Sequence, residues 1–170
     1  MKRILIIISI FIIILVGKKE NEKITIPENA IRIRVIANSN NLEDQMLKLK
    51  VKEKVTNNLY KKLEKVTKIE EARNKIEDSI PELKNIISNT LNNNNFNINY
   101  GNNYFPEKEL YGINYNSGNY ESLVINIGES KGNNWWCVLF PPLCLIETEI
   151  TDNNYVEYKS KILEILKRYT

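Results

Sequence analysis

The amino-acid sequence predicts an α+β domain, a mainly antiparallel sheet with helices packed on one face. Three observations predict it: a strand-like segment opens the domain, two long segments with helical spacing follow, and alternating segments then lead to a last amphipathic helix. Helices and strands that are grouped along the chain are typical of α+β folds, whereas their regular alternation indicates a parallel sheet. With 170 residues, the chain is long enough for one domain with its own core.

The first predicted strand has alternating apolar residues and arginines at Ile31, Arg32, Ile33, Arg34 and Val35. This pattern is typical of a half-buried strand, so both arginines are expected on its polar side. Asn41 predicts the start of a helix, because its side chain accepts hydrogen bonds from unpaired backbone N–H groups. The helix has a lysine-rich outer face and an apolar stripe at Leu47, Val51, Val55, Leu59, Leu63 and Val66.

A second helix is predicted from about Ile69, with an apolar stripe at Ala72, Ile76, Ile80, Leu83, Ile87 and Leu91. Pro81 lies inside this helix and is expected to kink it or to restart it near Ser79, because proline removes a backbone donor. A final helix is predicted from about Asn154, where Glu157 follows three residues later in a pattern that resembles a capping box.

Between the second helix and the last one, the hydrophobic pattern changes from helical spacing to alternation. The sequence predicts strands over 96–100, 122–127 and 135–140. Turns rich in asparagine and glycine are predicted at 101–103, 116–119 and 132–134.

The segment 133–144 is unlike the rest of the chain, since it holds both tryptophans, both cysteines and a double proline. Residues 135–140 are predicted as a buried strand that ends at Pro141, because proline cannot donate to a sheet ladder. Neighbouring residues of a strand point to opposite faces. One of Trp135 and Trp136 is therefore expected in the core, and the other on the opposite face.

Residues 1–17 are predicted as a signal peptide or an N-terminal membrane segment. Two basic residues precede an apolar run of about thirteen residues over 4–16, which fits a secretory signal better than a spanning helix of about 20 residues. No small-residue cleavage site follows the run, so cleavage is left open. Residues 18–29 are predicted as a charged linker and residues 30–170 as a single domain.

Composition excludes several classes of protein. The chain has no histidine, which excludes the common serine and cysteine hydrolases and most catalytic zinc sites. Its six glycines form no phosphate-binding fingerprint, and a net charge of +3 is too small to predict nucleic acid as a partner. We therefore assign no catalytic residue, metal or cofactor. Glu121 and Glu129, which flank a predicted strand, are interpreted as solvated turn residues.

Because the chain is predicted to be exported, Cys137 and Cys144 have two alternatives, a disulfide or a pair of free thiols. They are seven residues apart with two prolines between them, so a turn would allow a disulfide. The other alternative is a pair of buried thiols that pack as small apolar groups. The sequence slightly favours the thiols, because Cys137 lies in a strand that needs no covalent link.

Five blocks in the same order resemble the stage II sporulation protein R family. The blocks are 31–48, 105–108, 118–123, 127–129 and 133–144. We call 31–48 the upstream block and 133–144 the Trp block. The resemblance covers residues 31 to about 145.

This resemblance implies a secreted signalling protein of endospore-forming bacteria. Family members are made in the forespore, exported into the space between forespore and mother cell, and activate a membrane-bound aspartic protease that matures a mother-cell sigma factor precursor. The protein would act by binding, with membrane association through residues 4–16 as an alternative to full secretion. Tryptophan and arginine are enriched at interface hot spots. Partner contacts are therefore expected in both blocks, at Arg32, Arg34, Asn38, Ser39, Asp44, Gln45, Lys48, Trp135, Trp136, Phe140 and Pro141.

Two other functions fit the sequence. A carbohydrate- or wall-binding module would stack sugar rings on coplanar, exposed Trp135 and Trp136, whereas an exported hydrolase would have a cleft with two facing carboxylates. For Asn38 and Ser39, turn and cap chemistry is the alternative to partner contact. Arg34 is expected at the surface, and Trp136 fits either the core or an interface.

Overall fold

The computed structural model describes residues 24–110, 113–144 and 155–169, so the predicted signal segment lies outside the described residues. The helices are α1 (Leu42–Leu63), α2 (Ile69–Leu91) and α3 (Tyr155–Tyr169). The strands are β1 (Ile24–Thr25), β2 (Ile31–Ile36), β3 (Phe96–Phe105), β4 (Lys108–Leu110), β5 (Ile113–Tyr115), β6 (Gly118–Ile127) and β7 (Asn134–Phe140).

A four-stranded sheet with the order β3-β6-β2-β7 organises the domain. The β3–β6 and β2–β7 pairs are antiparallel, and the central pair, β2 and β6, is parallel. A smaller sheet has the order β1-β5-β4, and β1 runs parallel to β5. The predicted α+β class with a mainly antiparallel sheet is confirmed.

The apolar stripes of α1 and α2 form the first core cluster together with one face of the four-stranded sheet. Ile31, Ile33 and Val35 of β2 are completely buried there. The predicted stripe residues are also buried, except Leu47 and Ile80, which are half-buried. Burial of a large apolar side chain contributes about 1.5–3 kcal/mol, so the two apolar stripes hold α1 and α2 on the sheet.

A second core cluster covers the opposite face of β2. Its aromatic residues come from β3, β5, β6 and β7, and α3 adds Ile162 and Leu166. Ile26, from the end of the predicted linker, is buried in the same cluster. The prediction of a half-buried first strand is therefore wrong at Arg32, which is only 1% exposed.

One local prediction from turn residues is wrong, and one of the two alternatives for Pro81 is excluded. The predicted turn at 101–103 is instead the middle of β3, because these residues pair in register with Ser122, Glu121 and Tyr120 on β6. Ladder pairing along a strand overrides the turn preference of asparagine and glycine. Of the two alternatives for Pro81, the restart near Ser79 does not occur, because α2 continues through Pro81, which lies on its exposed side.

The other predictions for the ends of elements have mixed outcomes. Of the predicted turn at 116–119, only Asn116 and Ser117 lie outside strands, since β6 begins at Gly118. The proposed capping position of the last helix, Asn154, lies outside the described residues. Within the described part of the chain, no helix combines the length and the apolar character needed to cross a membrane.

Candidate functional site

The upstream block folds into a polar network around Asp44 at the start of α1. Asn41 is the N-cap, as predicted, and its Oδ1 accepts a hydrogen bond from the Asp44 backbone N–H at 2.8 Å. Asp44 Oδ2 in turn accepts hydrogen bonds from Ser39 Oγ at 2.6 Å and from Asn38 Nδ2 at 2.9 Å. These bonds hold the loop 37–41 against the first turn of the helix.

The same loop is joined to the connection between β6 and β7, and we call this contact the loop junction. Asn38 Oδ1 accepts a hydrogen bond from the Glu129 backbone N–H at 2.9 Å, and Asn40 Oδ1 accepts one from the Asn133 N–H at 2.6 Å. The Gly132 N–H donates to the Ala37 carbonyl oxygen at 3.0 Å. The loop junction thus links the upstream block to the beginning of the Trp block.

Lys48 and Gln45 complete the loop junction from the helix. Lys48 is buried, and its Nζ donates to Gln45 Oε1 at 2.6 Å and to the Asn133 carbonyl oxygen at 3.1 Å. Gln45 Nε2 donates to the Ser39 carbonyl oxygen at 2.8 Å. Burial lowers the pKa of Lys48. Five predicted contact residues therefore use their polar atoms within the protein: Asn38, Ser39, Asp44, Gln45 and Lys48.

We predict that Asp44 titrates below the ordinary range of an aspartate. Two hydrogen bonds lower the pKa of Asp44 below its usual value of 3.8. The one from the Ser39 side chain has the larger effect, and the one from the Asn38 side chain has the next largest. A lowered folded-state pKa stabilises the folded protein above the unfolded-state pKa, and this contribution disappears as the pH falls through the folded-state value. The carboxyl ¹³C shift of Asp44, followed by NMR from pH 7 downward, should therefore have its titration midpoint below 3.8. Titration at or above that value would contradict the network.

Unfolding experiments provide a second measure of the same carboxylate. The stability difference between the wild-type chain and Asp44→Asn should be largest at neutral pH and should shrink as the pH falls below about 4. Other acidic residues contribute equally to both chains, so the difference isolates Asp44.

Arg32 and Arg34 lie on the second face of the sheet, within the aromatic cluster. The Arg32 guanidinium carbon is 3.4 Å from the ring centroid of Tyr120, and burial lowers the pKa of this arginine. Arg34 is half-buried, with its guanidinium carbon 3.9 Å from the ring centroid of Phe105, and its Nη2 donates to the Tyr104 carbonyl oxygen at 2.7 Å. The expectation that Arg34 is a simple surface residue is therefore wrong, because β3 packs over its side chain.

The Trp block contains a strand of the sheet with one buried tryptophan, as predicted. Trp136 is 7% exposed and belongs to the second core cluster. Trp135 is half-buried on the opposite face, where Lys52 Nζ lies 4.6 Å from its ring centroid. The two rings therefore share no platform for a sugar. Phe140 and Pro141 are also buried, and the Phe140 ring packs edge-on against Tyr169.

Cys137 and Cys144 form no disulfide, so that alternative is wrong and the buried-thiol alternative holds. Cys144 Sγ donates to the Val138 carbonyl oxygen at 3.0 Å. Cys137 faces the first core cluster, where its thiol packs among apolar side chains. Small thiols of this kind behave as apolar groups in a core.

Glu121 belongs to a half-buried ion pair that the sequence did not indicate. Arg73 of α2 donates to its carboxylate through Nε and Nη2, each at 2.9 Å to Oε2, and Tyr100 donates to Oε1 at 2.6 Å. Burial alone would raise the pKa of Glu121, but the hydrogen bonds from Arg73 and Tyr100 lower it overall. Glu121 is therefore not a solvated turn residue, and its charged carboxylate is a poor general acid.

Three large apolar side chains are exposed on the outer side of α1, and sequence analysis missed them. Leu42 is 77% exposed, Met46 is 50% exposed and Leu49 is 51% exposed. Residues four and three positions apart lie on the same side of a helix, so they form one stripe. We call it the α1 stripe. The spacing of these three residues could have predicted the stripe. The sequence interpretation of the outer face of α1 relied on its lysines alone.

In the described part of the chain, no group of three or more cysteine, aspartate or glutamate side chains is arranged to hold a metal ion. The fold and the site thus define a small α+β domain that carries a locked loop junction and an exposed apolar helix stripe. The family model described as stage II sporulation protein R matches residues 27–150. The chain belongs to the stage II sporulation protein R family.

A curated relative supports the same family. Stage II sporulation protein R of Bacillus subtilis (strain 168) is 38% identical to the chain in an alignment of length 162, and the match covers 86% of this chain and 72% of that protein. No solved structure matches the chain. The resemblance seen in the sequence is confirmed, and membership gives the protein a role in sporulation.

Proposed function

We propose that this protein is an exported signal of sporulation that binds and activates a membrane-embedded aspartic protease. The protease then processes the precursor of a mother-cell sigma factor. The protein acts by contact and contributes no catalytic residue of its own. Residues 4–16 direct its export from the forespore into the space between the two cells.

The observation that carries this proposal is the α1 stripe. Its first residue, Leu42, directly follows the N-cap Asn41 of the upstream block. Soluble domains rarely expose several large apolar side chains together unless they bind something. The stripe lies on a helix whose other side is packed on the sheet and whose first turn is held by the loop junction. It therefore offers the protease a rigid, apolar contact surface.

The loop junction has a supporting part in this proposal. Its polar groups are hydrogen-bonded within the protein, so direct contact with a partner would first require breaking these bonds. We infer that Asn38, Ser39, Asp44, Gln45 and Lys48 hold the start of α1 in position for binding. We therefore propose the α1 stripe, and not these five polar residues, as the contact surface.

Replacing the α1 stripe with serine should abolish signalling without unfolding the protein. The triple variant Leu42→Ser, Met46→Ser, Leu49→Ser removes three exposed apolar groups, whose burial against the protease would favour binding. We expect sigma-precursor processing in sporulating cells to fall at least about tenfold, which corresponds to about 1.4 kcal/mol of lost binding. The amount of exported protein should stay near the wild-type level, since the positions are exposed.

The matched control changes polar residues on the same helix, Asn57→Ser with Lys61→Ser, both of which are exposed. It should leave processing unchanged, because it alters the surface of α1 outside the stripe. Normal processing in the triple variant would reject the α1 stripe as the contact. Equal loss in the control would show that any change on α1 disturbs the protein.

A further inference from the structure

Three cationic side chains gather around Trp136 and Phe105 on the second face of the sheet. The Arg32 guanidinium carbon lies 5.1 Å from the Trp136 ring centroid, and Lys108 Nζ lies 5.2 Å from it. Arg34 is paired with Trp136 across the β2–β7 ladder and lies over the Phe105 ring. Strands from four parts of the chain therefore bring three positive charges together.

No carboxylate neutralises these charges among the residues that the structure describes. None of the ion pairs there includes Arg32, Arg34 or Lys108. Arg32 Nε and Nη1 and Arg34 Nε are buried without a hydrogen-bond partner. Arg73 is different, since it is paired with Glu121. The aromatic faces stabilise the cations in part, but buried guanidinium donors without an acceptor are unfavourable.

The outer part of this cluster is reachable from solvent. Arg34 and Lys108 are half-buried, and Tyr104, whose carbonyl oxygen accepts a hydrogen bond from Arg34, is 61% exposed. Arg32 lies behind them and is 1% exposed. A ligand can therefore meet the first two side chains directly, while the third adds positive charge from behind.

We propose that Arg34 and Lys108, with Arg32 behind them, form a binding site for an oxyanion, a carboxylate or a phosphate group. The forked guanidinium donors of arginine match the paired oxygens of such groups, and a lysine ammonium adds a compact charge. The ligand supplies the negative charge that no carboxylate among the described residues supplies to these three cations. This site does not depend on the proposed function, and it lies on the face of the sheet opposite to α1.

The test uses the full chain in a non-ionic detergent, with inorganic phosphate, glutarate and chloride compared at matched ionic strength. Side-chain Nε–H signals of arginine are followed by ¹⁵N NMR. We expect the Arg34 signal to shift and saturate with the preferred oxyanion and to remain unchanged with chloride. The Arg73 signal is the internal control and should not shift, because Glu121 already occupies its donors. A stronger response to glutarate identifies the ligand group as a carboxylate, and a stronger response to inorganic phosphate identifies it as a phosphate.

Thermal unfolding under the same conditions measures the binding. At ten times the dissociation constant, the ligand should raise the midpoint by about 4 °C. The rise should disappear in Lys108→Gln and in Arg34→Gln, and it should persist in Arg168→Gln, which changes an exposed arginine of α3. Lys108→Gln keeps the test decisive if Arg34→Gln does not fold. Equal responses to chloride, or a full response in Lys108→Gln, would overturn the proposal.

Discussion

Trp136→Ala is expected to lower the free energy of unfolding by about 3–5 kcal/mol, the usual range for a large aromatic side chain cut to alanine in a core. The Trp136 ring packs edge-on against Phe105 at 5.5 Å and against Tyr115 at 5.2 Å between centroids. Its loss leaves a cavity and also removes one of the rings around the Arg32 guanidinium. Urea unfolding of the full chain in non-ionic detergent measures the effect. In sporulating cells, the protein should become less abundant.

Trp135→Ala is the matched control, since the two tryptophans are adjacent and their side chains leave opposite faces of β7. Trp135 is half-buried and stacks under Lys52, so its loss should cost less than half as much. A larger loss of stability in Trp135→Ala than in Trp136→Ala would contradict the burial of Trp136 in the second core cluster. Loss of processing in Trp135→Ala at a normal protein level would add that residue to the partner contacts.

The elements that could be predicted from the sequence are those whose pattern reflects burial directly. The helical stripes from Val51 to Leu63 and from Ala72 to Leu91 predicted which side of each helix meets the sheet. Asn41 predicted the start of α1, because capping depends on a few neighbouring residues. Local patterns of this kind need no knowledge of the rest of the fold.

The second core cluster could not be predicted in the same way. It surrounds Arg32 with Phe105, Tyr120 and Trp136, which come from three other strands far apart in the sequence. An arginine that alternates with apolar residues along a strand normally faces solvent. Only the order of the strands in the sheet shows that aromatic side chains cover Arg32. The failed turn at 101–103 has the same origin, since pairing with β6 decides the conformation of these residues.

The candidate site illustrates a second limit of sequence analysis. Polar residues of the upstream block are suited both to partner contact and to internal support. The distinction depends on partners such as the Glu129 backbone N–H, which is 91 positions from Asn38. Conversely, the exposure of Leu42 depends on the orientation of α1 on the sheet. Neither relation is visible in residue type or spacing alone.

The loop junction predicts a large effect for a change that adds one methyl group. A Cβ at Gly132 would lie 2.2 Å from the Ser39 carbonyl oxygen and 2.6 Å from its carbonyl carbon. Both are backbone atoms, so the two loops would have to separate. Gly132→Ala is therefore expected to lower the free energy of unfolding by about 2–4 kcal/mol, near the upper end of the costs of overpacking.

Gly118→Ala is the matched control for this change. Its added Cβ would lie 3.3 Å from Cε2 of the Tyr120 ring, a side chain that can move, so the expected cost is about 1 kcal/mol or less. Urea unfolding compares both variants with the wild-type chain, and amide hydrogen exchange locates the damage. Gly132→Ala should speed the exchange of the Lys131 N–H, which donates to the Asn38 carbonyl oxygen at 3.1 Å. If both variants unfold alike and this amide stays protected, the two loops are not locked together. Faster exchange combined with reduced sigma-precursor processing would instead connect the loop junction to the position of the α1 stripe, because the junction holds the first turn of that helix.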